Sequence, residues 1–270
     1  MTTRGFPSRL VLIGSDVSNS LSPIFQRAAL QAAGISLSYD LMDVAPGDLE
    51  RAVEEIRREG VGGNVTRPHK VAFHNVCDVL TPLARRVGAV NTFWIENDRL
   101  HGDNTDVEGF AHAARELIGV NSSDANVLVL GAGGAAAAVL AAVERWPGGR
   151  ATVVSRSRER SASLAARFAS MANAGADAVR EAERATLIVN ATPVGQRDDQ
   201  HPLALDAVPR DAAAIDLVYR RGETAWVRAL RARGNDARDG MAMLLEQGAL
   251  SFTRWFGREP DREAMRRAIA

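Results

Sequence analysis

A chain of 270 residues is too long for one ordinary core and divides naturally into two domains of moderate size. With 46% hydrophobic and 24% charged residues, and 33 cationic against 33 acidic side chains, the composition excludes extended disorder and offers no clustered positive charge for nucleic acid. No apolar run approaches the roughly 20 residues of a membrane span, no apolar signal region follows the start MTTRGFPSRL, and the lone Cys77 forms no intrachain disulfide, so a cytoplasmic location is expected.

The first elements follow from hydrophobic periodicity. RLVLIG (9–14) reads as a buried strand, a polar loop SDVSNSLSP follows, and Pro23 opens a helix that Gly34 caps. SYDLMDV (38–44) is a second strand. Leu49, Val53 and Ile56 then recur at helical spacing between Asp48 as N-cap and Gly60 as stop. VGGNVTRPHK begins as a strand and ends in a loop, and VAFHNVCDVLTPLARRVG is expected to be helical with a break near Pro82. AVNTFWIENDRLHGDNTD reads as a hairpin turning at Asn97 and Asp98.

From about residue 108 the pattern restarts. FAHAARELIG leads into ANVLVLGAGGAAAAVLAAVERWPGG, a strand, Gly-rich turn and helix in succession. ATVVSRS (151–157) is the next strand, ERSASLAARFAS a helix, and ATLIVNATPVG and AAIDLVY supply two more strands. Such alternation is the α/β pattern of a parallel sheet. The tail from Asp239 and the end DREAMRRAIA are helical in period, and no internal repeat or low-complexity tract is present.

Two features point to chemistry. Lys70 is the only lysine beside 32 arginines. GC-rich codon usage explains the rarity, but the position matters, because an ammonium, unlike a guanidinium, can give up its proton when its surroundings lower its pKa. The second feature is G-x-G-x-x-A at Gly131, Gly133 and Ala136, set between a strand and a helix. In that context Gly131 permits the tight turn, Gly133 the approach of a pyrophosphate, and Ala136 close helix packing, with the helix N-terminus facing the phosphates. The following strand ends in Ser155, Arg156, Ser157 and Arg158, with no acid to hold ribose hydroxyls, and a guanidinium there suits a 2′-phosphate. NADP is therefore expected over NAD. The five histidines, His69, His74, His101, His112 and His201, show no ligand spacing, and no metal is expected.

Polar residues in the loops SNSLSP (18–23), NVTRPHK (64–70), AVNT (89–92) and GDNTD (102–106) suit a small polyhydroxy acid. With GAGGA, VVSRS, NATPVG, IDLVY and DGMAMLLEQGA they give a chain that resembles the shikimate dehydrogenase family over nearly its whole length. The resemblance implies an α/β fold in which an N-terminal α/β substrate-binding domain (1–107 plus 237–270) is joined to a Rossmann-like NADP-binding domain (108–236), with the active site in the cleft. It implies reversible reduction of 3-dehydroshikimate to shikimate with NADPH. By the same resemblance, Lys70 and Asp106 match the catalytic pair. Ser20 and Ser22, with Tyr219 nearby, match the carboxylate site, and Asn64, Thr66, Asn91, Asp106 and Gln247 match positions that bind ring hydroxyls or the reacting oxygen. Gly131, Ala132, Gly133, Gly134 and Ala135 match the phosphate loop, Ser155, Arg156 and Ser157 the 2′-phosphate loop, and Asn190, Thr192 and Pro193 residues beside the cofactor. Ala242 stands close to where the nicotinamide amide would lie, in place of a Gly.

Further departures from the family pattern are Arg67, Val107, Ala225 and the run of alanines through Ala137. They leave open a paralogue acting on quinate or aminoshikimate, or a non-catalytic NADP-binding sensor; intact Lys70 and Asp106 count against the sensor. A small-molecule substrate is expected, with no nucleic-acid or membrane partner, in a monomer or homodimer.

Overall fold

The computed structural model describes residues 6–119, 123–220 and 222–270; part of the N-terminal stretch read above for a signal region, residues 1–5, lies outside them. The chain divides into two compact units, Met1–Thr105 with Leu245–Ala270, and Asp106–Leu244.

In the first unit, β1 (Leu10–Gly14) is buried along its whole length. It pairs in parallel with β2 (Tyr39–Asp43) and β3 (Gly62–Val65). A strand covered on both faces needs an unbroken apolar run, and LVLI provides it. Gly63 is obligatory here, since a Cβ would lie 2.0 Å from the Val11 carbonyl oxygen. Helix α1 (Ser22–Ala32) has Pro23 in its first turn, and Gly34 follows at φ +66°. Helix α2 (Leu49–Glu59) turns Leu49, Ala52, Val53 and Ile56 inward and ends at Gly60, whose N–H donates to the Ile56 carbonyl. Asp48 stands at its N-cap, but the Asp48 side chain makes no capping bond.

Residues 70–87 depart from the expected broken helix. They form α3 (Lys70–Val76), a two-residue strand β4 (Val79–Leu80) and α4 (Pro82–Val87). Asp78 explains the interruption: its carboxylate takes the Leu100 N–H at 2.7 Å and two Arg57 N–H groups at 2.5 and 3.1 Å. These bonds draw the chain to the sheet edge, where strand pairing overrides the helical period. The hairpin forms as read, from β5 (Thr92–Glu96) and β6 (Arg99–Asp103). Asn97 and Asp98 both take positive φ, as a two-residue turn between twisted strands requires. The sheet is mixed, in the order β2-β1-β3-β5-β6-β4. Its core includes Ile13, Ile56, Leu100, Phe73 and Phe93, the two rings 4.9 Å apart.

The second unit opens with α5 (Asp106–Ile118) and continues through β7 (Asn126–Leu130), α6 (Gly134–Val143), β8 (Arg150–Val154), α7 (Arg158–Arg167), β9 (Ala172–Ala174), α8 (Ala178–Ala182), β10 (Leu187–Asn190), β11 (Ala213–Asp216), α9 (Ala225–Ala232) and β12 (Ala237–Arg238). All strands pair in parallel, in the order β9-β8-β7-β10-β11-β12. Numbered within the unit, that is 3-2-1-4-5-6, the dinucleotide-binding arrangement, whose ligand crevice opens where the order reverses between the first and fourth strands. Strands β9 and β12 and helices α8 and α9 are not expected from the sequence; ANA and AR are too short to carry a period. Helix α10 (Met241–Phe256) begins in this unit and passes into the first, where α11 (Arg262–Ile269) packs on α1.

Candidate functional site

In the first unit the motif asparagines meet in a buried polar cluster. Asn64, only 5% exposed, accepts the Tyr39 hydroxyl at 2.8 Å through Oδ1. Its amide nitrogen faces the Asn91 carbonyl at 3.0 Å, Thr92 Oγ1 at 3.1 Å and Ser251 Oγ at 2.9 Å. Both amide hydrogens are thereby engaged, and the second lone pair of Oδ1 is the capacity left for a ligand. Asn91 Oδ1 receives the Thr105 N–H at 2.8 Å, and its Nδ2 donates to Thr105 Oγ1 at 2.9 Å and to Gln247 Oε1 at 3.2 Å. Ser251 closes the network: its hydroxyl reaches the Gln247 carbonyl at 2.8 Å and Thr92 Oγ1 at 2.6 Å. Gln247 and Ser251, four residues apart on α10, share a helix face.

Lys70 is the first residue of α3 and is half-buried. Its carbonyl accepts the Val90 N–H at 2.8 Å. The preceding His69 is buried, with Nε2 2.7 Å from the Val44 carbonyl; a carbonyl only accepts, so Nε2 carries the proton. Thr66 donates its N–H to the Ile13 carbonyl and accepts from the His69 N–H, anchoring the turn to the end of β1. Ser20 Oγ accepts the Ser22 N–H at 3.2 Å at the entry to α1. Asp103, beside the hairpin exit, is 1% exposed and binds the Thr81 hydroxyl at 2.5 Å and Arg254 Nε at 2.6 Å. Asp106, 3% exposed, opens α5 at the start of the second unit.

In the second unit, Gly131 has φ +115°, and a Cβ on it would lie 2.8 Å from the Ala191 carbonyl oxygen. The loops after β7 and β10 therefore touch through their backbones. A Cβ on Gly133 would meet nothing within 4 Å, so that face is open. The Ala137 N–H donates to the Gly133 carbonyl, so the N–H groups of Gly134, Ala135 and Ala136 precede the helix's own bonding and face its N-terminal end. Ala132 lies in the same turn. These features fit a pyrophosphate.

Ser155 Oγ lies 2.9 Å from the Ser157 carbonyl and 2.8 Å from Ser161 Oγ, and Ser157 caps α7 by accepting from the Arg160 N–H. The two serines thus shape the loop, and Arg156 is its exposed cation. Asn190 is fully buried: Nδ2 donates to Asp216 Oδ1 at 2.8 Å and to the Val194 carbonyl at 3.2 Å, while Oδ1 accepts the Thr192 N–H and hydroxyl at 3.0 and 2.6 Å. Its side chain is occupied inside the loop, and Pro193 stands exposed at the loop's tip. Tyr219 follows β11, and Ala242 lies in the first turn of α10.

Burial pushes the Asp216 carboxyl above its ordinary range, against the hydrogen bonds from Thr224, Val218 and Asn190, and Asp239 adds to the rise. Asp239 is pushed up in the same direction, chiefly by burial. Among the described residues no group of His, Cys, Asp and Glu is arranged to hold a metal, and no helix is long and apolar enough to cross a membrane. Tyr39, Ser251 and Asp216 join the site only in the fold; Ser251, one turn beyond Gln247, carries a sequence signal in that spacing, and Tyr39 carries none.

Residues 12–93 match the model of the shikimate dehydrogenase substrate binding domain, and residues 240–270 that of the shikimate 5′-dehydrogenase C-terminal domain. A protein of Symbiobacterium thermophilum named shikimate dehydrogenase (NADP(+)) is 40% identical, covering 99% of this chain and 95% of its own. One of Methylocella silvestris with the same name is 41% identical over 93% and 91%. The crystal structure of shikimate 5-dehydrogenase from Thermus thermophilus in complex with NADP(H) and shikimate is 38% identical, with a TM-score of 0.87 over 97% of this chain and 98% of that one.

Proposed function

Because the chain belongs to the shikimate dehydrogenase family, we propose that it is an NADP-dependent oxidoreductase that interconverts shikimate and 3-dehydroshikimate. The observation that carries this reading is the match over almost the entire chain to relatives named for that reaction, with Lys70 and Asp106 both present.

In this reading the first unit binds the hydroxy acid and the second the dinucleotide. Bound NADP⁺ supplies the hydride acceptor. Lys70 exchanges the proton of the reacting hydroxyl: as an ammonium it donates to the ketone oxygen during reduction, and in the reverse direction the amine receives that proton. Asp106 orients it. Asn64 receives a ring hydroxyl on the remaining lone pair of Oδ1, the one part of its amide that the cluster leaves unused. Asn91, Gln247 and Thr66 line the same ring site, and Ser20, Ser22 and Tyr219 hold the carboxylate. The N-terminal turn of α6 would hold the pyrophosphate, and Arg156 would meet the 2′-phosphate with a planar donor set suited to it. A cytoplasmic location and a monomeric or homodimeric state belong to the same reading.

The test is a panel of initial rates with shikimate or quinate as donor and NADP⁺ or NAD⁺ as acceptor, read by the absorbance of the reduced nicotinamide. Fast turnover confined to shikimate with NADP⁺ is the expected result. Turnover with quinate in place of shikimate, or equal rates with NAD⁺, contradicts it.

A further inference from the structure

Asp216 is a carboxylate with 0% exposure at the end of β11. Three donors reach it: Asn190 Nδ2 at 2.8 Å and the Val218 N–H at 3.1 Å on Oδ1, and the Thr224 hydroxyl at 2.8 Å on Oδ2. Thr224 and Asn190 are themselves 1% and 0% exposed. A charge taken this far from water is costly, and where only packing is required an apolar residue of similar volume serves as well or better. The arrangement therefore calls for a role beyond filling space.

The partners supply one. Asn190, its amide fixed by Asp216, presents Oδ1 to the N–H and hydroxyl of Thr192, and Thr192 Oγ1 accepts the Val194 N–H at 3.2 Å. A single line of hydrogen bonds thus runs from Thr224 through Asp216 and Asn190 into the turn at 191–194. That turn is the backbone against which Gly131 is closed, with the Ala191 carbonyl at 2.8 Å and Thr192 Cγ2 at 3.4 Å from where a Gly131 Cβ would stand.

We propose that Asp216 is a positioning residue for the nicotinamide cofactor: through Asn190 it fixes the 191–194 turn beside the Gly131 loop, so that Asn190 acts as its relay and touches no ligand through its side chain. The proposal rests on the reading of this unit as an NADP site. A neutral amide at 216 sets an N–H₂ group against donors that now point at oxygen, and the turn loses its reference.

The experiment titrates NADPH into the wild type and into Asp216→Asn, Thr224→Val and Thr224→Ser, following dinucleotide fluorescence, with a thermal melt and the shikimate KM of each. Asp216→Asn should weaken NADPH binding about tenfold, the equivalent of one hydrogen bond to a charged group. Thr224→Val should weaken it by a smaller factor and Thr224→Ser restore it, while the shikimate KM stays within about twofold of wild type throughout. The inference is overturned if Asp216→Asn melts cooperatively and binds NADPH like the wild type, or if the shikimate KM rises in step with the loss of NADPH affinity. Should Asp216→Asn fail to fold, the Thr224 pair decides: NADPH affinity unchanged in Thr224→Val overturns the proposal. A wild type that binds no NADPH overturns the NADP reading itself, a result distinct from all of these.

Discussion

The two units build their candidate sites by opposite means. In the second, the candidate anion site is backbone: a glycine at positive φ, a helix N-terminus and a short contact to the Ala191 carbonyl, all but the last within a few consecutive residues. In the first, the site is side chain, assembled from Tyr39, Asn64, Asn91, Thr92, Thr105, Gln247 and Ser251, residues drawn from both ends of the chain. Backbone recognition suits phosphates, which every dinucleotide shares. Fixed amides and hydroxyls suit one arrangement of ring hydroxyls, because each buried donor left without its partner costs free energy. The contrast is between a general anchor and a specific one.

Glycine substitutions break this comparison most sharply. Gly63→Ala forces a Cβ to 2.0 Å from the Val11 carbonyl and must part β1 from β3; a loss of about 3 kcal/mol, the upper end for overpacking, is expected in a denaturant titration. Gly133→Ala meets nothing within 4 Å, and its backbone is extended at φ −102°. Its stability should stay within about 0.5 kcal/mol of wild type, while the KM for NADP⁺ rises because the methyl stands where the phosphates approach. A large loss of stability at Gly133, or none at Gly63, removes the distinction.

Asn64→Leu comes next. It removes the Asn64 acceptor of the Tyr39 hydroxyl and one of the two donors to the Asn91 carbonyl, which keeps the Val65 N–H, at about 1 kcal/mol. The shikimate KM should rise with it and the NADP⁺ KM should not. Arg156→Ala should do the reverse, raising the KM for NADP⁺ about tenfold while NAD⁺ kinetics change little, since a hydrogen bond to a charged phosphate is worth about 1.5 kcal/mol or more.

The smallest expected effect is on pH dependence. Arg57 and the Leu100 N–H hold the Asp78 carboxyl down to about 2 in the first unit. A depressed acid stabilises the fold above its unfolded value, near about 3.9, and that contribution fades as pH falls toward the folded value. The raised Asp216 and Asp239 of the second unit work with the opposite sign: their contribution favours the fold below the unfolded value and is lost as pH rises through the folded one. Asp78→Asn should therefore lower Tm at about pH 6 and converge with the wild type near about pH 2. A constant difference across that range contradicts the assignment.

The same contrast explains what the sequence disclosed. The glycine-rich loop, its strand and its helix are contiguous, so the motif and its geometry arrive together in GAGGA. The hairpin was legible because Asn97 and Asp98 tolerate positive φ. By contrast, β4 depends on Asp78 reaching Arg57 and Leu100, a tertiary event that local periodicity does not record. The first unit's polar cluster was visible only as separate polar loops. That Asn64 has a single acceptor position to spare, or that Asn190 turns inward to Asp216, follows from contacts no spacing encodes.

The most direct test of the central claim is turnover by Lys70→Ala with shikimate and NADP⁺, measured beside NADPH affinity and thermal stability. The account predicts kcat reduced by roughly 10²-fold or more on general acid–base grounds, with cofactor affinity and melting unchanged and the shikimate KM moved less. Near wild-type turnover in a variant that still binds both ligands would show that the chain's single lysine is not its proton donor.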